Sequence, residues 1–343
     1  MPDPTLRELA DHEGPFASVY VDNTHDTDNA AAQQRLRRRA VRAELSEKGA
    51  TPAILDAVDD ALAAATPGRC GRAIITDRRS VVIAETLRTP PPQPVVRLSP
   101  LPYLLPLLAL REPVVPYVVA VVDRSGADLS GVDMDGHRLT RTVAGDDRPA
   151  RAAGPAQYDI AATAREVTRL ADRARASLVL VAGDVTTRAA VCEAIAPRNR
   201  RVVQLGAGSR AAGSNAPDLD EEIHRMLHED ADRRRRALAD LFDSELHRPD
   251  GLAEEGVSGI SAALRAANVD TLLVDAAALG DRTVRVGRDP TQVRPADRAH
   301  DHTWQRRADE ALPLAALAAR AEVVTCTGGY APADGVGALL RHG

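Results

Sequence analysis

Thr271-Leu272-Leu273-Val274-Asp275, then Asp309-Glu310-Ala311-Leu312-Pro313-Leu314-Ala315-Ala316-Leu317-Ala318-Ala319-Arg320, then Ala321-Glu322-Val323-Val324-Thr325 decide how this chain is read. The first and third are short apolar runs of strand length, and the alanine- and leucine-rich segment between them is long enough only for a helix. The chain closes with Asp334-Gly335-Val336-Gly337-Ala338-Leu339-Leu340-Arg341. This order of strand, helix and strand predicts an α/β unit from about residue 256 to the end.

Working backwards, a charged helix is predicted over Asp218–His247, with Asp220-Glu221-Glu222 in its first turn, the sign that suits a helix N-terminus. It carries Arg233-Arg234-Arg235-Arg236 in its middle. Four consecutive arginines point all round a helix, so a structural reading with Asp230, Asp232 and Asp240 as partners is preferred. Before it lies the cleanest strand, Tyr117-Val118-Val119-Ala120-Val121-Val122-Asp123, a turn at Arg124-Ser125-Gly126, and strands over Ala127–Val132 and Leu139–Val143. A Gly/Pro/Ala/Asp-rich loop over 144–158 precedes a helix over 160–176, the apolar strand Leu178–Ala182, a helix over 186–194 and a strand over 201–205. A meander followed by a crossover helix and a buried strand predicts a mixed sheet of the RNase H-like kind. The N-terminal part reads as a short helix (6–11), a strand (16–21), helices over 29–48 and 53–65, and a hairpin of 72–76 with 80–85. The prolines at 90–92 and the run from Pro100 to Pro113 read as the exit from this domain. The expected divisions are therefore 1–112, 113–217, a connecting helix over 218–255, and 256–343.

A chain of 343 residues with 44% hydrophobic and 27% charged residues is an ordinary globular protein of two or three domains. With two Phe, one Trp and five Tyr, its cores must be aliphatic. Lys48 is the only lysine, so every basic patch is a guanidinium patch suited to bidentate phosphate contact. A net charge of −5 argues against general nucleic-acid coating but allows docking through local arginine clusters. Cys70, Cys192 and Cys326 form no CxxC pair, and no disulfide framework, metal site or cofactor is expected. The start of the chain has no signal-peptide pattern, and the apolar run 98–110 is too short and proline-rich to span a bilayer. A cytoplasmic protein without a membrane partner is expected. No Walker A, GxGxxG after a strand, HExxH or GxSxG pattern occurs.

The order of elements in the middle and C-terminal parts resembles the archaeal and eukaryotic class-1 release factors and Pelota. Pro15-Phe16-Ala17-Ser18-Val19-Tyr20-Val21-Asp22-Asn23-Thr24-His25-Asp26-Thr27 resembles the N-terminal signature of the bacterial branch of that family. The resemblance extends to Balon-like ribosome hibernation factors and spans essentially the whole chain. It implies a C-terminal α/β sandwich like that of kink-turn-binding proteins and a cytoplasmic protein that occupies the vacant ribosomal A site. It also implies rRNA contacts, an elongation factor as a further candidate partner, and a monomer when off the ribosome. The family's catalytic Gly-Gly-Gln is replaced by Gly154-Pro155-Ala156-Gln157, and Gly328-Gly329 lies in another domain before Tyr330. Without the two glycines the backbone loses the freedom that motif relies on. The Asn-Ile-Lys-Ser codon-reading motif is also missing. A hibernation-type factor without codon-dependent release is therefore expected, not an enzyme. Two alternatives stand beside it: a codon-independent peptidyl-tRNA hydrolase or rescue factor acting through Gln157, and a nucleotide or stress-metabolite binding protein using the sheet edge near Gly183-Asp184.

Candidate RNA contacts follow. Arg35, Arg38, Arg39 and Arg42 line one helix stripe at i, i+3, i+4, i+7, and the competing reading pairs that face with Glu44 and Glu47. Asp22, Asn23, His25 and Asp26 follow a strand, where helix capping and recognition are preferred over metal binding. Arg148, Arg151, Gln157 and Tyr158 sit on the central loop that, by the resemblance, faces the tRNA acceptor end. Arg298, His300, His302 and Arg306, with Arg294 and Arg307, form a polar insertion between a strand pair expected around Arg282–Val286 and the last helix, read as a loop that touches RNA or a partner protein.

Overall fold

The computed structural model describes residues 4–26, 29–64, 68–111, 115–134, 136–144, 159–195, 200–208, 216–298, 302–326 and 331–343. The fold is mixed α/β. The chain divides into two compact units, one of residues 1–112 with 235–343 and one of residues 113–234.

Helix α1 (Pro4–Glu8) runs into a short 3-10 turn, and β1 (Phe16–Asp22) follows. Next come α2 (Ala30–Glu47), α3 (Pro52–Ala63), β2 (Gly71–Thr76), β3 (Val81–Leu87), β4 (Val95–Ser99) and α4 (Leu105–Leu110). The four strands form an antiparallel sheet in the order β3-β2-β1-β4. Strand β1 sits in the middle and is buried on both faces. Ala17, Val19 and Val21 meet Val41 and Leu45 of α2 and Ile54, Leu55 and Val58 of α3, while Phe16 and Tyr20 face the opposite core. The period-two alternation of a strand makes that division. The proline-rich stretch read as a domain exit also holds two elements. Strand β4 begins after Pro94 at the sheet edge, where a missing amide donor is tolerated, and Pro106 sits in the first turn of α4 for the same reason.

The second unit contains β5 (Tyr117–Asp123), β6 (Gly126–Val132), β7 (Arg138–Ala144), α5 (Ile160–Ala174), β8 (Leu178–Gly183), α6 (Val185–Ala194) and β9 (Arg201–Gln204). Its sheet order is β7-β6-β5-β8-β9, an antiparallel meander with β8 and β9 added in parallel. Both faces are covered, one by α5 and α6 and the other by the start of α7 (Ala216–Leu246), so the apolar run of β8 has no exposed side. Ile223, Met226, Leu227 and Ala231 of α7 belong to this core, whereas Leu238, Phe242 and Leu246 pack with Leu273 and Leu339 in the first unit. The four arginines 233–236 fill the helix between those two apolar runs, and Arg233 pairs with Asp230 at 3.2 Å.

The rest of the first unit holds β10 (Ala253–Glu255), α8 (Gly256–Arg265), β11 (Val269–Val274), α9 (Ala276–Leu279), β12 (Thr283–Val286), β13 (Val293–Pro295) and β14 (Trp304–Arg307). Helix α10 (Ala308–Ala318), β15 (Glu322–Thr325) and β16 (Val336–Leu340) complete it. The main sheet runs β10-β16-β11-β15, with β11 and β15 parallel and α10 crossing between them, and β13-β12-β14 forms a separate small sheet. Helix α10 is buried on every side from Ala308 to Leu317, which accounts for its apolar composition. Strand β10, helices α8 and α9 and the third strand of the small sheet have no counterpart among the elements expected from the sequence.

Candidate nucleic-acid interface

The stripe on α2 is divided by its neighbour. Arg42 is held by Asp59 at 2.6 Å and Asp56 at 3.0 Å, both from α3, and Arg38 lies 3.8 Å from Asp59. Arg37 reaches Asp22 at 3.3 Å. Arg35 and Arg39 are exposed and form no ion pair among the described residues. The partners of this face thus come mainly from α3, with Glu44 bound instead to Lys48 at 2.9 Å. Two guanidiniums remain open to a phosphate and two act as struts between helices.

The turn after β1 is knitted to the same helix. Asp22 Oδ1 accepts from the Thr24 amide at 2.8 Å, and despite partial desolvation these Thr24 bonds and Arg37 hold its carboxyl below the usual range. Asn23 is buried. His25 Nδ1 lies 2.9 Å from the Asn23 carbonyl and Nε2 lies 3.1 Å from Gln34 Oε1, while Gln34 Nε2 donates to the Leu62 carbonyl at 2.9 Å. His25 therefore braces β1 against α2 and α3. Asn29 precedes α2 without a side-chain cap, so the capping expected of this segment takes the form of an Asp22 turn instead. Among the described residues no group of three or more His, Cys, Asp and Glu is placed to hold a metal.

Arg148, Arg151, Gln157 and Tyr158 lie outside the described residues, as does His300. The Gly183-Asp184 edge has a structural role. Gly183 adopts φ 111°, and a Cβ there would stand 1.9 Å from the Val122 carbonyl oxygen. Asp184 caps α6, accepting from the Thr187 amide at 3.0 Å and the Thr187 hydroxyl at 2.9 Å.

The polar insertion is an ordered small sheet, and it gathers charge. Arg265 at the end of α8, Arg288 in the β12–β13 turn, Arg294 on β13 and His302 before β14 line a cleft of about 750 Å³, together with Asp289, Thr291, Gln292 and Thr303. The Arg265 guanidinium donates to the Val293 carbonyl. Burial pushes its pKa down, and the charges of Arg294 and Arg298 push it further in the same direction. Asp289 turns its carboxylate onto Thr291, at 2.8 Å to the amide and 2.7 Å to the hydroxyl. Arg306 lies apart from the cleft lining, its guanidinium donating to the Gln305 carbonyl at 2.9 Å. Arg285 reaches Thr303 at 3.4 Å. Of the residues read from the insertion, the fold brings Arg294, Arg298 and His302 near one another and adds Arg265 and Arg288. Arg265 stands more than twenty positions upstream at the end of an unpredicted helix, and no spacing in the sequence announces it.

Residues 116–248 match the sequence profile of bacterial archaeo-eukaryotic release factor family 2. A Mycobacterium tuberculosis protein, present in strains H37Rv and CDC 1551 and itself named as uncharacterized, is 36% identical over 370 residues, covering 98% of this chain and 96% of its own. Among solved structures, the Archaeoglobus fulgidus Pelota aligns over 100% of this chain and 94% of its own at 12% identity, with a TM-score of 0.41. An archaeal translation termination factor aligns over 98% and 96% at 15% identity, with a TM-score of 0.24. On the profile match over residues 116–248, the chain belongs to the bacterial archaeo-eukaryotic release factor-like family.

Proposed function

We propose that this protein is a ribosome-binding translation factor of the hibernation type, which occupies the vacant A site and does not release peptides in a codon-dependent way. The observation that carries the reading is a conjunction. The chain belongs to a release-factor family, yet its central loop offers Gly154-Pro155-Ala156-Gln157 where the family's catalytic Gly-Gly-Gln is expected. In this reading residues 1–112 face the decoding centre, 113–217 face the peptidyl-transferase centre, 218–255 connect, and 256–343 contact ribosome or partner. Arg35 and Arg39, exposed and without a described ion pair, are the N-terminal candidates for rRNA phosphates, held in place by the braced helices around them. An elongation factor is a candidate co-ligand, and the free protein is expected to be monomeric and cytoplasmic.

Co-sedimentation with vacant 70S ribosomes tests this. Binding that weakens with salt and is blocked by A-site tRNA is the expected result, and absence of binding at every salt concentration removes the reading. The same ribosomes loaded with peptidyl-tRNA test the alternative role of Gln157. Peptide release that Gln157→Ala abolishes would turn the protein into a codon-independent hydrolase, and release unchanged by the substitution would exclude that role.

A further inference from the structure

Arg265, Arg288, Arg294 and Arg298 converge from a helix end, two turns and a strand, and none forms an ion pair among the described residues. Among the described residues the one carboxylate that lines the cleft is Asp289, whose Oδ1 accepts from the Thr291 amide and hydroxyl and which forms no ion pair; the exposed Asp297 next to Arg298 in the chain forms none either. Like charges brought together raise the free energy of the unliganded protein, because each guanidinium feels its neighbours across a partly desolvated cleft. An anion carrying several charges relieves that repulsion. Guanidinium forks bind phosphate through paired, charge-assisted hydrogen bonds, and a group of four exceeds what one phosphate can engage. The volume of about 750 Å³ admits a ligand of nucleotide size. Trp304, the chain's only tryptophan, follows Thr303 of the cleft on β14 and is 46% exposed, an uncommon state for this side chain.

We propose that the cleft between α8 and the β12–β14 sheet is a polyphosphate-binding site. It takes two or more adjacent phosphate groups on Arg265, Arg288, Arg294 and His302, with Arg298 beside them. Two sources supply that chemistry, the di- or triphosphate of a free nucleotide and the backbone of RNA. The site stands on its own geometry and does not depend on the A-site reading.

The test uses the full-length protein without ribosomes, so its outcome is separate from that of the co-sedimentation. Trp304 fluorescence and calorimetry follow titration with inorganic triphosphate, with nucleoside triphosphates and with a short single-stranded RNA. Each titration is repeated on Arg288→Ala/Arg294→Ala, on the single Arg288→Glu variant at an exposed turn, and on Arg165→Ala/Arg169→Ala. The last removes two exposed charges from α5, outside the cleft. Saturable binding weakened at least about tenfold by the cleft variants and unchanged by the α5 variant is expected. Loss of triphosphate and nucleotide binding identifies a free ligand, whereas loss confined to the RNA arm identifies the backbone. No saturable binding below about 1 mM in any arm, or equal weakening by the α5 variant, overturns the proposal.

Discussion

Among the described residues of the first unit, Glu310 is the carboxylate most fully removed from water, 1% exposed at the start of α10. Its Oε2 accepts from the Ser99 hydroxyl at 2.5 Å, and Arg97 reaches Glu310 at 3.3 Å and Asp309 at 3.0 Å from β4. Arg97 also stacks 3.4 Å above the centre of the Tyr103 ring, and Tyr20, itself buried, donates to the Tyr103 carbonyl at 2.5 Å. Burial pushes Glu310 above the ordinary carboxylate range, with the Asp309 charge acting in the same direction against the Ser99 and Arg97 bonds. An acid whose folded pKa is raised contributes stability that is complete below its unfolded value and is lost as pH rises through the folded value. Wild type should therefore lose stability relative to Glu310→Gln between pH 4.5 and pH 7.5, in urea unfolding followed at both. A difference that grows in favour of the wild type with rising pH would contradict this. Arg97→Ala leaves the buried Glu310 without its cation, while Asp309 keeps Arg307 at 3.0 Å, and is expected to cost about 3 kcal/mol at pH 7. Tyr20→Phe strands one carbonyl and is expected to cost about 1–2 kcal/mol. No feature of the linear chain pairs Arg97 with Glu310, because 213 residues separate them.

Elements were the most legible level. Strands β1, β5, β8 and β11 and helices α2, α3, α5, α7 and α10 lie close to where alternation, apolar runs and helical composition place them, since those signals are local. The elements that escaped were short or proline-flanked: β4, α4, β10, α8, α9 and the third strand of the small sheet. Strand β4 is stabilised by pairing with β1 from Phe16 to Tyr20, a contact that local propensity does not report. At the β8–α6 junction two substitutions separate cap from backbone. Asp184→Ala removes a helix N-cap and is expected to cost about 1 kcal/mol. Gly183→Ala meets both a left-handed φ and the Val122 carbonyl, and is expected to cost at least about 2 kcal/mol. Thermal unfolding of the two variants checks the order, and equal effects would mean that the backbone relaxes around the added methyl.

For the whole molecule, a net charge of −5 coexists with guanidinium clusters on α2 and beside α8. Overall charge sets solubility and long-range steering, whereas binding to RNA depends on the few cations left without internal partners. Arg35→Ala/Arg39→Ala should lower the salt dependence of ribosome co-sedimentation by about one unit of log–log slope for each phosphate that is no longer neutralised. Arg42→Ala, which removes a strut already spent on Asp56 and Asp59, should affect helix stability more than that slope. Equal slopes for wild type and the double variant would place the rRNA contacts elsewhere.

The order of strands and helices, the aliphatic cores, the missing catalytic glycines and the likeness to a release-factor family were all determined by the sequence itself. Each is carried by a period of two or 3.6, by composition, or by a short contiguous motif. Only the tertiary structure decided which charges are spent and which are left. It divided the α2 stripe, buried Glu310 against Arg97, turned His25 into a brace, and brought Arg265 and Arg288 to Arg294 and His302. Pairing and repulsion act through space between residues far apart in the chain, and the packing that sets those distances leaves no local trace in the order of residues.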